Sequence, residues 1–158
     1  MFRLSDIAID PQAAVDGVWE TYAGTFQVRI ARANNRRYQQ LLNEAIAQHG
    51  GRRLISDDEY SAIVARCMGT AIVTDWKGLY DDAGEEIPYS PERAAAILGD
   101  PRYQDFRDWV AMRAVDSERF RARAIEEEAK HLGEGSPGSS AGRARSPTRK
   151  RAKRGSRA

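Results

Sequence analysis

The chain holds one cysteine and two histidines among 158 residues, and those shortages exclude more functions than any motif supplies. Cys67 cannot close an internal disulfide, and its position on an apolar helix face reads as a small buried hydrophobe in a reducing compartment. His49 and His131 fall at expected helix ends and join no His-Glu-x-x-His or Cys/His ligand pattern, so no metal site is expected. No stretch approaches the roughly 20 apolar residues of a membrane span, and no basic patch leads into a long apolar run near the N-terminus. The expectation is a soluble, cytoplasmic protein with no membrane contact and no cofactor.

Catalytic patterns are missing as well. Gly50-Gly51-Arg52 lacks the Gly-Lys-Ser/Thr end of a phosphate loop and follows a helix, where a phosphate loop follows a strand. No Gly-x-Ser-x-Gly elbow occurs. The run Asp81-Asp82-Ala83-Gly84-Glu85-Glu86 offers oxygens but not the alternation of a calcium loop. It reads as a solvated turn that uses Asp and Gly for backbone reasons. The chain is therefore not expected to be an enzyme.

What is present divides in two by charge. Residues 1–132 carry 17 Lys+Arg against 22 Asp+Glu, net −5, whereas residues 133–158 carry 8 basic residues and one acidic, net +7. From Gly133 onward there is no aromatic and no Leu, Ile, Val or Met, so nothing offsets the entropy cost of ordering, and a disordered basic tail is expected. Its cations are Arg143, Arg145, Arg149, Lys150, Arg151, Lys153, Arg154 and Arg157. They allow three readings, in this order: a solvated extension, a contact with an acidic protein surface, and binding to nucleic acid through phosphate neutralisation. With no aromatic interleaved, the last would have little sequence preference.

The first 132 residues read as a single α+β domain, mostly helical. Phe2 and Leu4, then Ile7 and Ile9, alternate with polar neighbours, as do Phe26, Val28 and Ile30. Period two predicts a small N-terminal antiparallel sheet or hairpin within residues 1–32, with Val18–Tyr22 pairing the Phe26 strand across Ala23-Gly24. From Asn35 the period changes to that of helices, and about four to five of them are expected over residues 35–132. Tyr38, Leu41, Leu42, Ala45 and Ile46 share one face, and Gly50-Gly51 ends that helix. Ser56 with Glu59 is a capping box opening the face Tyr60, Ile63, Val64, Cys67, Met68, Ala71 and Ile72. Ser90-Pro91 and Asp100-Pro101 each place a cap before a helix-starting proline.

Two blocks carry a family resemblance. Val73–Leu98, VTDWKGLYDDAGEEIPYSPERAAAIL, ends one helix, makes an aromatic-flanked acidic turn and starts another helix at Ser-Pro-Glu. Trp19–Asn43, WETYAGTFQVRIARANNRRYQQLLN, has an aromatic strand, a glycine, a strand ending Ile-Ala-Arg, then Asn and a helix opening with Arg-Tyr. Both resemble the tail assembly chaperones of long-tailed bacteriophages with non-contractile, siphovirus-type tails. With the helix after Pro101, the resemblance spans roughly residues 15–120.

The resemblance implies a protein that binds the tape measure protein, keeps that long chain soluble, and helps recruit tail tube protein as the tube polymerises. It implies action in the cytoplasm of the bacterial host, absence from the mature virion, and a longer frameshifted form in many members. The residues alone leave other classes open: a small nucleic-acid-associated phage protein acting through the basic tail, or a structural tail or connector subunit. For partner binding the candidates are Trp76, Tyr80, Tyr89, Phe106 and Trp109. Either these rings form a satellite core that fixes the angle between two helices, or some line a groove for a partner's apolar helix.

Overall fold

The computed structural model describes residues 1–134. The basic residues from Arg143 to Arg157, and the disorder expected of that segment, lie outside the described residues. The order of elements is α1 (Pro11–Asp16), β1 (Val18–Tyr22), β2 (Phe26–Ile30), α2 (Arg36–Gln48), α3 (Asp57–Ala71), β3 (Val73–Lys77), α4 (Pro91–Gly99), α5 (Gln104–Val115) and α6 (Ala122–Glu134). The architecture is α+β and mostly helical, with one three-stranded antiparallel sheet in the order β1-β2-β3.

The hairpin forms as its alternation predicts. Val18 pairs with Ile30 and Tyr22 with Phe26, and Ala23 and Gly24 both adopt positive φ, 51° and 88°. That left-handed pair suits the right-handed twist of the strands it joins.

Two expectations about strands are corrected. Residues 2–9 were read as half-buried strands, but Leu4–Ile7 is a 3-10 turn and Phe2, Leu4 and Ile7 are exposed. Asp10 then caps α1, its Oδ1 accepting the N–H groups of Gln12 and Ala13, with Pro11 at the first helical position. This is the same cap-plus-proline device that starts α4, and only the single bridge Ile9 to Arg121 is strand-like.

The sheet also extends beyond residues 1–32, because Val73–Lys77, read as the entry to a turn, is its third strand. Arg29 pairs with Asp75 and Ile30 with Val73, so Thr74 is an extra, bulged residue. The bulge turns both Val73 and Trp76 inward at a spacing of three. That spacing mimics a helix and hides the strand from a period-two reading.

The helix signals held where they are local. Ser56 and Glu59 make the reciprocal capping box of α3. Ser90 caps α4, and Asn35 caps α2 through Oδ1 and the Tyr38 N–H at 2.9 Å. Asn35 is buried, and its Nδ2 donates to the carbonyls of Arg32 and Ala71, tying the end of β2 to the end of α3. Asp100 caps a 3-10 turn, Pro101–Tyr103, that runs directly into α5.

The main core lies between the inner face of the sheet and helices α3, α4 and α5. Val28, Ile30, Met68, Ile72, Val73, Leu98, Val110 and Ala114 are buried there. A second cluster joins α2 to α3 through Ala45, Ile55, Ile63 and Cys67; burial raises the Cys67 thiol above its ordinary value. Among the helix pairs α3 and α4 pack most extensively. Small residues make this possible: a Cβ on Gly69 would lie 2.2 Å from the Ala95 nitrogen, and one on Gly99 would lie 3.9 Å from Ala65 Cβ. Gly69 meets the middle of α4 while Ala65, one turn earlier, meets its end, so the two helices run antiparallel.

Candidate functional site

The sequence pattern brings three segments to one end of the sheet. The hairpin turn carries Tyr22 and Phe26, β3 leads through Gly78 into the acidic turn, and Asp100-Pro101 fixes where α4 stops and α5 begins. Four of the five aromatic candidates meet in one connected string at this end. Tyr89 packs edge-on against Trp76 at 5.2 Å between ring centroids, Trp76 against Phe26 at 6.3 Å, and Phe26 against Phe106 at 5.4 Å. Phe106 stacks on Trp109 at 6.1 Å, and Tyr22 closes the string with Phe106 at 5.1 Å and Trp109 at 5.0 Å. Each such pair contributes about 0.5–1.5 kcal/mol beyond the area it buries.

Trp76 and Phe106 are buried, Tyr89 and Trp109 half-buried, and Tyr80 is 58% exposed. Trp76 and Tyr89 each also hold a backbone group. Trp76 Nε1 donates to the Ile87 carbonyl at 2.7 Å, and the Tyr89 hydroxyl donates to the Val73 carbonyl at 2.7 Å. Burial raises the Tyr89 phenol above its ordinary value, as expected of a hydroxyl that stays a donor. These two rings are core members that bind β3 to the segment leaving the turn. Neither is among the residues lining the groove that opens beside them.

A groove of about 570 Å³ opens beside the string. Its apolar lining comes from Tyr22, Phe26, Leu79, Ile87, Ile97 and Phe106, and its rim from Tyr80, Tyr103, Arg102, Asp81, Asp82 and Asp105. Of the five candidates only Tyr80 and Phe106 reach it, and Trp76, Tyr89 and Trp109 stand behind or beside its wall.

The acidic turn is rigidly built. Asp81 Oδ1 accepts the N–H groups of Ala83 and Glu85, both at 2.9 Å, while backbone bonds link Asp81 to Glu85 and Ile87 to Leu79. On the opposite rim, Arg102 engages Asp100 through Nη2 to Oδ2 at 2.6 Å and Nε to both oxygens at 3.1 and 3.0 Å. The guanidinium holds the Asp100 carboxyl below the ordinary range. Arg102 thus spends its charge on its own helix cap, and its guanidinium also lies 5.4 Å from the Tyr103 ring centroid.

Residues 24–131, from the hairpin turn to the last turns of α6, match the family described as YdaY prophage protein. The chain belongs to the YdaY prophage protein family. Of the groove residues named above, only Tyr22 lies outside the segment that matches YdaY prophage proteins, and the chain is accordingly phage-derived. No curated protein and no solved structure matches it. Among the described residues no group of three or more His, Cys, Asp or Glu side chains could hold a metal ion, and no helix is long and apolar enough to cross a membrane.

Sequence reasoning missed Tyr22, Phe26, Leu79, Ile87 and Ile97 as groove residues. The signal for Tyr22 and Phe26 was available: they flank a predicted hairpin turn, which puts both rings on one face at the sheet's end. No comparable signal marks Ile97, whose position on α4 becomes a groove position only once α4 is laid against α3.

Away from the groove, Glu20 on β1 is a half-buried carboxylate whose Oε1 lies 3.0 Å from Arg119 Nη1 without hydrogen-bond geometry. Burial raises its pKa, against the opposing pull of Arg119 and then Arg113. This pair joins β1 to the turn before α6.

Proposed function

We propose that this YdaY-family protein is a tail assembly chaperone that binds the tape measure protein, keeps it soluble and helps recruit tail tube protein. It acts in the cytoplasm of the host and leaves before the virion is complete. Its work is binding without catalysis. The observation that carries this reading is the groove, where an apolar floor is left open on a folded body between two well-anchored walls. An amphipathic helix can lay one face into such a floor, and a long helical partner can offer many such faces. Several moderate contacts along one chain give strong retention and still allow displacement by tube subunits. The phage origin of the family and the resemblance carried by Val73–Leu98 and Trp19–Asn43 support the same assignment.

The test is co-expression of the cognate tape measure protein with the full chain, with the full chain bearing Leu79→Ser and Tyr80→Ser, and with an empty vector. Soluble tape measure and its co-purification are measured. Rescue by the unaltered chain, with less than half of that rescue from the double variant, is expected. Equal tape measure solubility in all three arms would reject the assignment. Rescue by both proteins alike would move the binding surface away from the groove.

A further inference from the structure

We propose that the groove takes a partner helix whose apolar anchors are flanked by lysine or arginine, and discriminates against a helix flanked by acidic residues. The inference rests on the groove's role in partner binding proposed above and adds the chemistry of what it accepts.

The form of the partner follows from the backbone. An extended strand would need a row of free N–H and C=O groups, but the wall from Leu79 to Ile87 is a tight turn with a single bridge, Tyr80 to Glu86, closed by Ile87 N to Leu79 O, Asp81 N to Glu85 O and Gly84 N to Asp81 O, and is too short to offer such a row. What the groove presents is side chains, which suits anchors spaced i, i+3, i+4 and i+7 along a helix, a span of about 10 Å.

The charge of the partner follows from the rim. Asp81, Asp82 and Asp105 line the opening, and Glu85 and Glu86 belong to the same turn. Among the described residues none of these five carboxylates takes part in an ion pair. Among the described residues the one cation lining the rim, Arg102, is already paired with Asp100. An apolar floor bordered by unpaired carboxylates attracts a cationic amphipathic helix and repels an anionic one, so discrimination arises from both attraction and repulsion. The same rim repels the phosphates of a nucleic acid.

Two dye-labelled synthetic helices test this, with identical leucine faces flanked by lysine in one and by glutamate in the other. Each is titrated by fluorescence anisotropy against the full chain, against full-chain Asp82→Asn/Asp105→Asn, and against full-chain Leu79→Ser/Tyr80→Ser. The lysine helix is expected to bind about tenfold more tightly than the glutamate helix, a preference that shrinks as salt rises. Asp82→Asn/Asp105→Asn should remove most of the preference while melting at the temperature of the unaltered chain, since both side chains are exposed. Leu79→Ser/Tyr80→Ser should weaken both helices.

Equal binding of the two helices, binding of neither, or a preference that survives Asp82→Asn/Asp105→Asn would overturn the proposal. Preference for the lysine helix without rescue of the tape measure would keep the groove chemistry and remove that particular partner. Rescue without any preference would do the reverse.

Discussion

The crossing of α3 with α4 and the aromatic end of the sheet are built on opposite principles. At the crossing, Ala65, Gly69, Ala94 and Ala95 let two backbones approach until no further atom fits. At the sheet's end, six rings fill space in edge-on, tilted and stacked contacts and leave a groove beside them. Small side chains produce a dry, closed surface with no tolerance for growth. Large rings on a curved sheet end cannot close completely, and the remaining opening is available for binding.

Gly69→Val would break the closed half most severely. Its Cβ meets the α4 backbone, which cannot rotate away as a flexible side chain could, and a loss of about 4 kcal/mol or more is expected in urea unfolding. In the open half, Phe106→Ala removes the ring that touches Tyr22, Phe26 and Trp109, costing about 3 kcal/mol. It should also enlarge the groove, so binding of a leucine-faced helix should fall together with stability.

A finer probe is Tyr89→Phe, which keeps the edge contact with Trp76 and deletes the bond to the Val73 carbonyl. A loss of about 1 kcal/mol, with helix binding unchanged, would separate the anchor of the turn from the groove itself. The smallest change is expected from Glu20→Gln. Because burial raises the Glu20 pKa in the folded chain, ionisation costs stability: the folded state is favoured below the unfolded pKa and loses that advantage as pH rises through the folded value. The stability of Glu20→Gln relative to the unaltered chain should therefore increase from acid pH to neutrality, checked by melting temperatures across that range. A gap that stays constant with pH would show that the Arg119 contact offsets the burial, and one that shrinks toward neutrality would show that it outweighs it.

The features legible in the sequence were those decided within one turn of chain. Asn35, Ser56 and Ser90 cap their helices because a side-chain oxygen two or three residues from an N–H needs no tertiary help. The hairpin was legible for the same reason. β3 was not, since α3 passes into it at Ile72 without an intervening loop and its bulge at Thr74 erases the alternation that identifies strands. Nor was the difference between Trp76 and Tyr80, four residues apart and similar in sequence context. Trp76 points into the core because its pairing with Val28 places it on the inner face, whereas Tyr80 lies past Gly78 in the turn. The groove depends on where α4 comes to rest, and that is set by Gly69 and Ala95 through space.

The two crossed side-chain bonds at the base of the acidic turn, Trp76 to Ile87 and Tyr89 to Val73, have a practical consequence. They clamp both stems of the loop from outside, and at its tip Gly84 is held at a φ of 83° that favours glycine, whereas its neighbour Ala83 is exposed and already carries a Cβ, so that a cysteine can replace Ala83. The tip is therefore a place to attach a probe. A cysteine-linked fluorophore there would sit next to Asp82 of the groove's rim on a loop fixed at both stems, and would report occupancy of the purified protein directly.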